Sequence, residues 1–176
     1  LSKPISSIED VRHIARISSN NDPTIGDLIA RAVESVGKDG SITVEEARSL
    51  KTSLDLVEGF RMNSGYASSS FITDERRGAV VYEDAFILVA DTKIDSVDDI
   101  LPVLELAARE GRPLVIVASE VEGQALAALI MNSMRGTMKV AAVKAPRYGE
   151  ERRNILKDLC LSVGADFITR TGKVKL

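Results

Sequence analysis

The sequence predicts an α/β fold, a parallel sheet with βαβ units flanked by helices, joined to a small α+β piece. Three observations carry this. Residues 85–90, 114–118 and 138–143 are almost uninterrupted apolar runs, as expected of strands covered on both faces. Segments of helical period, 96–109, 121–134 and 150–163, alternate with them. Alternation of this kind implies right-handed crossovers and a sheet with helices on its faces. Finally, the texture changes near Gly59, before which helices are followed by short alternating segments. Two domains are expected, 1–58 and 59–176.

In the first, Ser7 is placed to cap a short helix with Ile8, Val11, Ile14 and Ala15 on one stripe. Asp22-Pro23 reads as N-cap and first-turn proline of a second helix, whose stripe runs Ile25, Leu28, Ile29, Ala32, Val33 and Val36. Gly37 ends it, and Lys38-Asp39-Gly40 reads as a turn. Ile42/Val44 and Leu54/Leu56 alternate as two short strands expected to pair. In the second domain, a Gly/Ser-rich stretch at 63–70 leads to Phe71-Ile72, and a charged turn at 74–78 precedes a strand expected at 79–83. The three βα repeats follow, and Phe167-Ile168 reads as a fourth strand.

Composition narrows the chemistry. The chain has 176 residues, one His, one Cys and no Trp, so a zinc site built from His and Cys is excluded by count. A hydrolytic triad would have to use His13, in the first helix. The net charge of −3 argues against nucleic-acid binding, and no apolar run approaches a membrane span. Neither dinucleotide nor phosphate-loop glycine spacing occurs, and Gly37-Lys38 follows a helix instead of preceding one. Asp91, Asp95, Asp98 and Asp99 stand at a strand's carboxyl end, where a Mg²⁺-dependent phosphoryl-transfer site is conceivable. The plainer reading is that they cap and favour the next helix. Cys160 falls on an apolar helix face and reads as a core thiol, and Arg152-Arg153 as solvated surface.

The most informative segment is 125–131, seven consecutive apolar residues, with the nearest charges at Glu122 and Arg135. Ala125 and Leu129 share one side, and Leu126 and Ile130 are expected on nearly the opposite one. Such a helix is either buried all round or presents an exposed sticky face. The preceding helix also has a broad apolar arc, and Met131 and Met134 suit a surface that repacks around varied partners.

Several stretches then resemble one family. Val57-Glu58-Gly59, Gly65-Tyr66 with Phe71-Ile72, Leu101-Pro102-Val103-Leu104-Glu105 and Arg112-Pro113-Leu114 occur in order. So do Val121-Glu122-Gly123-Gln124-Ala125-Leu126-Ala127, Asn132-Ser133-Met134-Arg135-Gly136 and Lys139-Val140-Ala141-Ala142-Val143-Lys144-Ala145-Pro146. Together they resemble the middle of a group I chaperonin, the GroEL-like family, across essentially the whole chain. The resemblance implies a segment of the intermediate domain at 1–58 and most of an apical domain at 59–176, with Gly59 as hinge. It implies capture of unfolded polypeptides and of a co-chaperonin's mobile loop in one apolar groove. That groove would use Tyr66, Ser68, Phe71, Leu101, Leu104, Leu126, Ile130 and Met131. It further implies sister subunits in a cytoplasmic ring, no catalysis by this chain, and ATP and Mg²⁺ held by a domain outside this sequence. Ser70 stands where relatives often carry an aromatic, Asn63-Ser64 where a charged pair is common, and Arg147-Tyr148-Gly149 where Gly-Phe-Gly is usual. On this reading Leu104→Glu or Ile130→Glu is expected to abolish capture and leave the fold intact. The alternatives are a small Mg²⁺-dependent α/β enzyme using the aspartates, and a structural fragment whose apolar helix is interdomain core.

Overall fold

The computed structural model describes residues 3–37, 40–57 and 59–168. The chain divides into two compact units, Leu1–Glu58 and Gly59–Leu176.

In the first unit, α1 spans Ile8–Ser18 and α2 spans Pro23–Val36. Ser7 Oγ accepts from the Asp10 amide at 3.2 Å, and the Asp10 carboxylate accepts from the Ser7 amide at 3.2 Å, which closes a capping box. The Ser6 amide also donates to that carboxylate, and this bond foremost, with those from the Ser7 and Ser6 side chains, holds the Asp10 carboxyl below the ordinary aspartate range. Asp22 Oδ1 accepts from the amides of Thr24 and Ile25 at the start of α2, with Pro23 in the first turn. The helices pack where Gly26 meets Arg16. A Cβ on Gly26 would lie 3.1 Å from the Arg16 Cα, so glycine lets the two helices approach closely without displacing Arg16. Arg12 reaches across to Asp27 at 3.0 Å.

The hairpin expected from Ile42/Val44 and Leu54/Leu56 does not form; described residues 40–57 contain no strand. Each segment offers only two apolar side chains, all four are exposed, and a two-stranded ribbon without a covering layer is marginal in water. Two residues of the Lys38-Asp39-Gly40 turn lie outside the described residues.

Among the described residues, the second unit holds a four-stranded parallel sheet of order β3-β2-β1-β4, flanked by helices. Its elements are β1 Phe86–Ile94, α3 Leu101–Glu110, β2 Leu114–Val121, α4 Gly123–Met134, β3 Val140–Lys144, α5 Gly149–Val163 and β4 Phe167–Ile168. Phe86 pairs with Leu114 and Leu114 with Val140, in register. The two faces explain the uninterrupted apolar runs. Leu88, Ala90, Leu114, Ile116, Ala118, Val140 and Ala142 pack with α3 and α4, around the wholly buried Phe71 and Ile100. Val89 and Val117, one residue out of phase, pack with Leu156, Leu159 and Cys160 of α5.

The differences from expectation have local causes. Residues 96–109 do not form one helix: a short 3₁₀ turn, Val97–Asp99, precedes α3. Pro102 lacks an N–H and fits an α-helix only in its first turn, so α3 cannot start a turn earlier and begins at Leu101. No strand forms at 79–83; Ala79 makes a single bridge to Asp74 across the charged turn. β1 runs on past Ala90 to Ile94 through an irregularity in which three residue steps on β1 match two on β2 (Ala90↔Ala118, Lys93↔Glu120).

Candidate binding surface

The surface is built on α4 and its neighbours. The backbone N–H of Ala125 donates to the Asp95 carbonyl at 3.1 Å, which anchors the first turn of α4 to the end of β1. Gly123, at φ 60°, permits that approach, since a Cβ there would sit 3.3 Å from the same oxygen. Beside it Lys93 pairs with Glu122, an interaction that raises the lysine's pKa. At the far end, Asn132 Nδ2 donates to the Ala128 carbonyl at 2.9 Å and stays within the helix.

With both ends tied, α4 turns Ala125 and Leu129 fully into the core. Leu126 and Ile130 are half-buried and pack on the core from the flank. They are not opposite Leu129, as the sequence reading had it: each residue advances about 100°, so these two sit roughly a quarter turn from the buried pair. The outward direction belongs to Ala127, Met131 and Met134, and the two methionines are 50% and 75% exposed. On α3, Leu101 is 42% and Leu106 40% exposed. The result is an apolar outer surface on a helix without a charged residue.

Of the remaining residues named from sequence, two lie underneath. Leu104 is 7% exposed and Phe71 is wholly buried, both in the cluster under α3 and α4. Leu104→Glu would therefore place a carboxylate in the core, which corrects the expectation that this change spares the fold. Tyr66 is half-buried, and its hydroxyl accepts from the Val80 amide at 2.9 Å. Ser68 Oγ accepts from the Ser70 amide at 3.2 Å and caps the 3₁₀ turn Ser69–Phe71. Phe71 and Leu104 thus lie in the layer beneath the helices, Tyr66 and Ser68 belong to the loop beside β3, and Leu101 and Met131 reach solvent. Gly59 has φ 115°, a backbone region open chiefly to glycine.

The loop carrying Tyr66 is held along the free edge of β3. Ala67 N–H donates to the Ala142 carbonyl at 2.8 Å, Lys144 N–H to the Gly65 carbonyl at 3.0 Å, and Ser64 Oγ to the Lys144 carbonyl. Tyr82 Oη donates to the Val140 carbonyl at 3.2 Å, and burial raises its pKa. These bonds satisfy an edge that would otherwise invite pairing, and they use the Asn63-Ser64 position for structure.

The aspartates do not gather. Asp91, its side chain 3% exposed, is held by Arg152 Nε at 2.8 Å and Arg153 Nε at 2.7 Å. Asp95 lies 4.0 Å from Lys93, and Ser96 Oγ accepts from the Asp98 amide at 3.3 Å as the cap of the 3₁₀ turn. Among the described residues no three His, Cys, Asp or Glu side chains form a metal-binding group. Sequence reasoning missed the Asp91 clamp and treated Arg152-Arg153 as surface. The signal was an acid directly following the apolar run Phe86–Ala90 of the same strand.

A concavity of about 640 Å³ lies at the amino ends of β1, β2 and β3, lined by Tyr82, Asp84, Ala107, Arg112, Thr137 and Lys139 among others. Arg112 lies over the Phe86 ring at 3.9 Å and bonds the Asp84 carboxylate at 2.9 Å, so its charge is already spent there. No described helix is long and apolar enough to cross a membrane. No protein-family model matches the chain.

Proposed function

We propose that the second unit captures non-native polypeptide on the apolar outer surface of α3 and α4, as the client-binding part of a chaperonin-like folding machine. One observation carries the reading: α4 has no charged residue from Gly123 to Met134, yet Met131 and Met134 stand in solvent. A helix serving only as core would turn its apolar atoms inward and dress its outer face with charge. Unfolded chains expose apolar segments of no fixed sequence, and burying such surface gains roughly 25 cal/mol per Å² without directional bonding. Flexible thioethers accommodate that variety.

The resemblance to group I chaperonins supports the same reading and extends it. It adds a co-chaperonin loop as competitor for the surface, Gly59 as hinge, sister subunits, and ATP and Mg²⁺ bound elsewhere in the intact protein. In this arrangement Leu101, Leu126, Ile130 and Met131 meet the client, and Tyr66, Ser68, Phe71 and Leu104 hold the contact layer in place. The test is suppression of aggregation of a chemically unfolded protein by the full chain. Leu101→Glu and Met131→Glu should each weaken it at least about tenfold, since each removes apolar contact and requires a carboxylate to be desolvated. Leu161→Glu, at an exposed apolar position of α5, should leave it unchanged. Equal capture by all three variants overturns the assignment.

A further inference from the structure

The chain has four methionines, and the fold sorts them in pairs. Met62 and Met138 are half-buried against the two cores. Met131 and Met134 are exposed, three residues apart on α4, and so lie on the same side of the helix. They form the largest part of its outward apolar surface, and no charged or aromatic residue of α4 shares the load. A thioether is also the apolar side chain most readily made polar by a mild oxidant.

We propose that Met131 and Met134 are an oxidation-sensitive pair that switches off the capturing face in the presence of peroxide; this rests on the reading of that face as a client-binding surface. In each event one oxygen atom passes from hydrogen peroxide to the sulfur, the thioether is oxidised to a sulfoxide, and the peroxide is reduced to water. The product carries a strongly polar S=O group in the middle of the contact surface, and a bound apolar segment, which brings no donor of its own, would have to desolvate it. Cys160 does not compete for the oxidant on the same terms, because its thiol is buried under α5.

The experiment treats the full chain with hydrogen peroxide and follows single oxygen additions by peptide mass spectrometry, with capture of a chemically unfolded protein measured in parallel. Met131 and Met134 should convert well before Met62 and Met138. Capture should weaken at least about tenfold, with the unfolding midpoint held, and should return after treatment with methionine sulfoxide reductases. The Met131→Leu/Met134→Leu double variant, measured against its own untreated sample, should change less than about twofold. Unchanged capture after both sites are oxidised overturns the proposal. So does an equal loss in the double variant, or oxidation of Met62 and Met138 at the same rate. A chain that captures nothing before treatment overturns the underlying reading and the switch with it, and the untreated control tells that case apart.

Discussion

Asp91→Ala should be among the most destabilising single changes in the second unit. The Asp91 side chain is 3% exposed and both its oxygens are engaged, one by Arg152 and one by Arg153. Removing one member of a buried pair costs about 3–5 kcal/mol, because the other charge is left without a partner. The two arginines differ. Arg153, at 59% exposure, can turn to water and contributes at most about 1 kcal/mol. Arg152, at 21%, is held against the sheet and cannot. The expected loss is therefore about 2–4 kcal/mol, a large share of the 5–15 kcal/mol typical of a domain. All three tyrosines lie beyond Gly59 and there is no tryptophan, so tyrosine fluorescence during urea titration reports the second unit alone. At a slope of about 1.5–2 kcal/mol per molar, the midpoint should fall by about 1–3 M. A double-mutant cycle with Arg152→Gln should return most of the effect as coupling. A shift below about 0.5 kcal/mol, or a cycle with no coupling, would refute the reasoning that Asp91 fastens α5 to β1.

Other outcomes follow from the same structure. Phe71→Ala should cost about 3–5 kcal/mol in the same urea titration, since the ring is wholly buried between the loop and α4. Leu104→Glu should leave little folded second unit, seen as loss of the cooperative tyrosine transition, whereas Leu101→Glu should keep it. Burial, with a smaller contribution from Asp166, raises the Cys160 pKa above the ordinary 9.0, so folding favours the protonated thiol. Its contribution is fully present below pH of about 9 and is lost as pH rises toward the folded value, so Cys160→Ala should flatten the fall in midpoint above pH 9. In the first unit, Asp22→Ala should cost about 1 kcal/mol of helix stability, read by circular dichroism, because two amides at the start of α2 lose their acceptor.

What could be read in advance follows the range of the interactions involved. Ser7, Asp22-Pro23 and Gly37 act within one helical turn, and the helix ends they mark lie where the caps put them. The runs beginning at Phe86, Leu114 and Val140 became strands because a parallel sheet covered on both sides has no wet face to advertise. Where the outcome depends on a distant partner, the local pattern misleads. Ile42/Val44 and Leu54/Leu56 alternate correctly, yet no covering layer turns them into strands. Residues 79–83 are apolar enough for a strand, but that edge of β3 is taken by the loop carrying Gly65 and Ala67. The Asp91 clamp joins residues 61 and 62 positions apart, a distance no spacing rule spans. At the binding surface, the charge-free helix was legible as composition. Its exposed side was not, because Leu126 and Met131 differ by rotation about α4 and both are apolar.

The central claim is that the outward side of α4 is the surface that meets non-native chains, and contact at one residue tests it most directly. A photo-crosslinking side chain placed at Met131 of the full chain, illuminated with a chemically unfolded protein, should give a covalent adduct. The same group at Leu161, at least as exposed but on α5 across the sheet, should give none. Adducts of equal yield at the two positions, or none at Met131, would contradict the account.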